Sequence, residues 1–199
     1  MSKRSSNRGL RTGLLLWIAL VGLAGCATAP EPEPEPEPDV VEVSEATKAA
    51  YARALEMMRD EDYEPAVDAF REIAERNDRL AGPWVNMGIA YRALDRPEEA
   101  LEALNAALKR DPANGAAYNQ IGLLHRHAGR FDEARTVYME GIAENPEYAM
   151  LYRNLGILCD IYLQDPECAL ENFRAYQERS DRDDETVERW IADVERRVQ

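Results

Sequence analysis

Histidine and cysteine are scarce in this chain, two of the first and three of the second in 199 residues. His125 and His127 stand two apart, so on one helix they point in different directions, and no third ligand lies near them in sequence. A GxSxG elbow, a phosphate-cradling glycine loop and a paired-cysteine zinc motif are all missing. These absences remove the usual kits for nucleophilic, phosphoryl-transfer and metal chemistry. The expectation is a non-enzyme with no metal, no cofactor and no small-molecule substrate. Carboxylates are abundant, but their spread along the chain reads as solvation.

Positive charge is also in short supply. Against 38 acidic residues there are 24 basic ones, a net charge of −14. Nucleic acid and anionic bilayers both demand a basic footprint, so neither is the expected main partner. A long apolar run is missing too. Thr12 to Gly25 is mostly apolar, but it is 14 residues long, whereas a membrane-spanning helix needs roughly 20.

What is present at the amino end is ordered. Lys3, Arg4, Arg8 and Arg11 precede the apolar run, and small residues close it, the layout of a secretory signal. The tetrapeptide Leu23-Ala24-Gly25-Cys26 resembles the lipobox of bacterial lipoproteins. That resemblance implies a signal peptide over 1–25, diacylglycerol and palmitate on Cys26, and cleavage immediately before it. It also implies export to the outer membrane, facing the periplasm, because Ala27 stands where an aspartate would retain such a protein in the inner membrane. The competing reading is a short uncleaved helix or a signal remnant with a free thiol. Two or three acyl chains anchor stably where one binds marginally, since each buried methylene contributes about 0.8 kcal/mol. Pro30 to Pro38 then alternates proline with glutamate, which blocks helix and sheet and makes 26–46 an extended acidic linker. At about 3.1 Å per residue, polyproline-II geometry makes this stretch a spacer of roughly 25 to 30 Å.

The remainder repeats itself. Windows beginning at Thr47, Ala81, Gly115 and Ala149 recur with a period of 34 residues. The second carries Trp84, Met87, Gly88, Tyr91, Ala100, Leu104, Ala107 and Pro112; the third carries Tyr118, Ile121, Gly122, His125, Ala134, Tyr138 and Pro146 in the same places. Apolar residues fall three and four apart on two stretches per window, separated by a turn, which predicts paired antiparallel helices. Gly88 with Ala100, and Gly122 with Ala134, let the paired backbones approach closely. The pattern resembles the tetratricopeptide repeat, which implies an all-α, right-handed solenoid of about four helix-turn-helix repeats over 47–183 (47–80, 81–114, 115–148 and 149–183). The first repeat is less constrained, with Ala50 and Ala54 at the aromatic and glycine positions. In the fourth, later positions slip by one to Ala169 and Phe173, which places an extra residue in the "LQDPE" turn. Over 184–199, Val187, Trp190, Ile191, Val194 and Val198 recur at helical spacing and suit a capping helix. Cys159 and Cys168 flank the bend of the fourth repeat. In an oxidising periplasm they are a candidate disulfide, with two buried free thiols as the alternative.

The resemblance implies a groove lined by the first helix of each repeat that binds a segment of a partner protein. At the groove positions stand Tyr51 and Leu55; Asn86, Ile89 and Arg92; Asn119, Gln120, Leu123, Arg126 and His127; and Arg153, Asn154 and Ile157. Asn86, Gln120 and Asn154 share one position, where an amide can pair with a partner backbone. Arg92, Arg126 and Arg153 place positive charge in an acidic molecule, so the expected partner segment is acidic and apolar. Lipoproteins of this type include assembly factors for type IV pilus secretins, adaptors for peptidoglycan hydrolases and companions of TonB/ExbBD-type systems. The expected function is therefore a scaffold that reaches the membrane through its lipid anchor and binds another envelope protein. A peptidoglycan- or glycan-binding module is the alternative, and it calls for exposed aromatics on the inner face.

Overall fold

The computed structural model describes residues 43–181 and 183–198, which lie in one compact unit. The signal peptide assigned to 1–25, the lipidation site Cys26 and nearly all of the linker fall outside the described residues. The expected all-helical solenoid is the fold observed. Helices α1 (Glu45–Arg59) and α2 (Tyr63–Arg76) form the first pair, α3 (Ala81–Ala93) and α4 (Pro97–Arg110) the second, and α5 (Gly115–His127) and α6 (Phe131–Glu144) the third. The fourth pair is α7 (Ala149–Ile157), continued by a π-helical segment (Leu158–Leu163), and α8 (Pro166–Arg179); α9 (Glu185–Arg197) follows.

Caps and prolines set the helix ends. The Ser44 side chain accepts from Thr47 N, which starts α1 at Glu45, inside the stretch assigned above to the linker. Pro97 and Pro166 open α4 and α8, where a missing N–H costs nothing. Each tight turn is reversed by one left-handed residue: Glu61, Asp95, Gly129 and Gln164, with φ between 52° and 72°. In the first three turns a backbone bond reaches back five residues, as from Arg96 N to Tyr91 O and from Arg130 N to His125 O, both 2.9 Å.

The fourth turn corrects the expected place of the extra residue. Its closing bond runs from Asp165 N to Cys159 O, also 2.9 Å but six residues back. The insertion is taken up inside the first helix of the repeat, as the wider π turn over Leu158–Leu163, and the bend beyond it keeps the geometry of the others.

Packing follows the repeat. A Cβ built on Gly88 falls 2.6 Å from Leu104 Cγ and 3.2 Å from the Ala100 carbonyl oxygen; one on Gly122 falls 2.3 Å from Tyr138 Cε1; one on Gly156 falls 2.6 Å from Phe173. The aromatic or leucine of each second helix thus fills the space that the glycine leaves in the first. Two core clusters result. One runs from Ala54 to Leu124 through α1–α5, and the other from Ala134 to Val194 through α6–α9. They meet between the two helices of the third repeat.

Helix α9 buries Val187, Ile191 and Val194, and Trp190 packs its ring 5.4 Å from that of Phe173. Asp184 caps it, accepting from Thr186 N at 3.0 Å and Val187 N at 3.2 Å. Burial by itself raises the Asp184 carboxyl, but the bonds from Val187 N–H, Tyr176 O–H and Thr186 N–H, with the Arg153 charge, outweigh it and hold the group below the ordinary aspartate range. Asp184→Ala is expected to cost about 1 kcal/mol, the usual worth of an N-cap, in urea denaturation at neutral pH. A carboxyl with a lowered folded pKa stabilises above its unfolded value and loses that contribution as pH falls, so the gap to the parent protein narrows below about pH 4.

Candidate functional site

The first helices α1, α3, α5 and α7 line the inner face, and the expected groove residues divide there into free and committed side chains. Leu55 is 38% exposed and His127 is exposed. Ile89, Leu123 and Ile157 are half-buried, with Ile89 packed on the first cluster and Ile157 on the second. Beside Leu55, the residues Val43, Tyr51, Ala52, Leu80 and Pro83 enclose an apolar depression of about 390 Å³ at the amino end of the groove, with Lys48 on its lining. The sequence reading missed Val43, Leu80 and Pro83 because they lie outside the repeat's inner-face positions; Ala52, also missed, occupies the same inner-face position as Asn86, Gln120 and Asn154.

The amides are not uniformly available, which corrects the reading that they share one partner-facing role. Asn119 and Asn154 are 6% and 5% exposed, and Asn154 Nδ2 donates to Asn119 Oδ1 at 2.6 Å. They form a buried bridge between α5 and α7, out of reach of a partner. Asn86 Nδ2 donates to Tyr51 Oη at 2.5 Å and to the Gly82 carbonyl at 3.0 Å, the equivalent bridge two repeats earlier, between α1 and α3. Between α3 and α5 the bridge cannot form, because Val85 stands where Tyr51 and Asn119 do. Gln120 instead accepts from Arg92 Nε at 3.2 Å.

The arginines separate in the same way. Arg92 is half-buried and spent partly on Gln120. Arg153 is not a free groove cation: its Nε lies 3.8 Å from Asp184 Oδ2, and its guanidinium stacks 5.1 Å from the Trp190 ring centroid. Its partners sit at and beyond the start of α9, which a reading confined to the repeats could not supply. Arg126 keeps Nε and Nη1 buried without a hydrogen-bond partner, as is the Tyr138 hydroxyl. Burial pushes that hydroxyl up to about 12, opposed by the Arg126 charge.

Cys159 and Cys168 are bonded, with Cα atoms 5.8 Å apart. The bridge ties the π segment to the first turn of α8. Neither histidine is placed for metal binding. His125 accepts from Arg130 Nε at 3.1 Å, and burial, then the Arg130 charge, lower its pKa. Among the described residues no group of three His, Cys, Asp or Glu side chains could hold a metal ion, and no helix is long and apolar enough to cross a membrane.

This arrangement offers surfaces for holding another chain. Residues 85–149 match the family model for the tetratricopeptide repeat. The described residues thus have the tetratricopeptide solenoid fold, and proteins built on this repeat act in general through protein–protein interaction. Among curated relatives, the chain is 27% identical over 99 residues to the small glutamine-rich tetratricopeptide repeat-containing protein 2 of Mycosarcoma maydis, a match over 50% of this chain and 28% of that protein. It is 26% identical over 156 residues to the uncharacterized protein y4yS of Sinorhizobium fredii, covering 74% and 82% of the two chains. Of solved structures, PilF of Pseudomonas aeruginosa superposes with a TM-score of 0.65 at 23% identity, over 75% of this chain and 68% of that one. The chain thus spans under a third of the first curated relative, and the structural likeness speaks to the fold alone.

Proposed function

We propose that this protein is a lipid-anchored scaffold on the periplasmic side of the outer membrane, which holds a segment of another envelope protein in the inner groove of its repeats. The observation that carries the anchoring is Leu23-Ala24-Gly25-Cys26 at the end of a basic and then apolar leader, with Ala27 directing the protein outward. The Pro/Glu stretch from Pro30 to Pro38 lifts the repeats off the lipid surface. The bound segment presents apolar side chains to the depression around Tyr51, Leu55 and Leu80 and an acidic group to Arg92, an extended chain held partly by charge-assisted hydrogen bonds. The repeat fold is the binding device, and no catalytic step is assigned to it.

Two arms test this reading. Cys26→Ser should abolish metabolic incorporation of labelled palmitate and release the protein from the outer-membrane fraction; unchanged label on the variant refutes the anchor. Crosslinked capture from native envelopes should return one dominant envelope protein, and Leu55→Asp with Arg92→Glu should reduce its yield roughly tenfold, a hot-spot-sized effect. Arg126 is left intact because a glutamate there would bury an unpaired carboxylate. Full capture by the folded variant refutes the inner groove.

A further inference from the structure

The outer side of the solenoid carries a second groove, which neither the anchor nor the inner face uses. It lies between α6 and α8, encloses about 510 Å³, and has Tyr152 and Leu155 of α7 among its lining residues. Met139 and Ile142 form the α6 side, while Glu167 and Glu171 rise from α8. Glu167 and Glu171 are one turn apart on the same helix face, both are exposed, and neither is in an ion pair among the described residues, whereas Glu72, Glu99 and Glu195 are held by Arg76, Arg96 and Arg174.

The repeat makes Met139 an anomaly. Stepping by the period, the corresponding positions are Arg71, Asn105 and, after the extra residue, Arg174, all polar. Arg71 is tied down, donating to Asp68 at 2.6 Å and to the Tyr91 hydroxyl at 2.9 Å. Only the third repeat places an apolar side chain there, and it is 54% exposed. A flexible thioether half out in water beside an apolar floor is a poor solution for a monomer's surface and a good one for an adaptable contact. The far wall is rigid as well, because Cys168 on that wall is bonded to Cys159 at the end of the helix that supplies the floor.

We infer that this outer groove docks a cationic segment of a partner protein, with one apolar side chain seated beside Met139 over Tyr152 and Leu155 and its lysines or arginines on Glu167 and Glu171. Charge complementarity selects the occupant: the α8 wall presents two exposed carboxylates outside any ion pair among the described residues, and Arg135 on the α6 side turns the basic residues of the segment toward α8. The inference is independent of the lipid anchor and of the inner groove.

The test uses the full chain labelled with ¹³C at its methionine methyl groups, titrated with a short peptide of alternating leucine and lysine and, as control, its leucine–glutamate counterpart. The Met139 signal should move with the lysine peptide and stay still with the glutamate one, while Met57, Met58 and Met87 stay still with both. Glu167→Lys with Glu171→Lys should weaken binding about tenfold or more, the range of close charge pairs across an interface. The same charge change at Glu98 and Glu102, which hold the corresponding places on α4, should weaken it less than about twofold, as for a screened distant charge. Equal weakening by both pairs means that the peptide senses only net charge, and a still Met139 signal means that it binds elsewhere; either result overturns the inference.

Discussion

Gly122→Val is expected to cost about 3 kcal/mol or more in urea denaturation, near the upper end for overpacking a core. The first atom of the new side chain alone would stand 2.3 Å from Tyr138 Cε1, and the Tyr138 ring, wholly buried, has nowhere to retreat. The damage also falls where the two core clusters meet, so the halves of the solenoid lose their common wall. Gly129→Ala is the informative contrast. Nothing lies within 4 Å of its added Cβ, but its φ is +72°, so only the backbone objects, at about 1 to 2 kcal/mol. A similar cost for both variants would show that the third repeat yields more easily than its packing implies.

The second large effect belongs to the disulfide. Replacing Cys159 and Cys168 together with alanine should cost about 2 to 3 kcal/mol, the chain-entropy value for closing a short loop. The sequence separation of nine is what keeps the figure at that level. The parent protein in excess dithiol should lose the same amount, and the variant should be indifferent to dithiol. Amide exchange should quicken most at Asp165, whose N–H closes the turn on the Cys159 carbonyl. A reductant-insensitive parent would show that the bridge adds nothing to stability in solution.

The repeat was legible because its chemistry is periodic: a glycine opposite a large side chain at a fixed interval has few uses besides close helix pairing, and Gly88, Gly122 and Gly156 all serve that one. Where a signal occurs once, the sequence loses resolution. The slip to Ala169 and Phe173 reveals one extra residue but not its site, since periodicity records only the total between two landmarks. The π turn is decided by hydrogen bonds that no spacing encodes. Asn119 and Asn154 looked like groove residues because helix position says which way a side chain points and nothing about the neighbour waiting there. Only the stacking of α5 on α7 turns the two amides into each other's partners. Arg153 was misjudged for a related reason, its partners being an N-cap and a tryptophan outside the repeating unit.

Helix α9 has a consequence for self-assembly. A stack of similar repeats has two unlike ends, and when both are apolar and complementary, copies can join head to tail without closing, which is how filaments grow. Here Val187, Ile191 and Val194 turn inward, and Glu188, Arg189, Asp193 and Arg196 are exposed on the same helix. At the other end of the described residues, Leu55 is half-exposed beside the apolar depression. Head-to-tail joining needs complementary apolar surfaces at both ends, and the carboxyl-terminal end closed by α9 presents charged side chains instead.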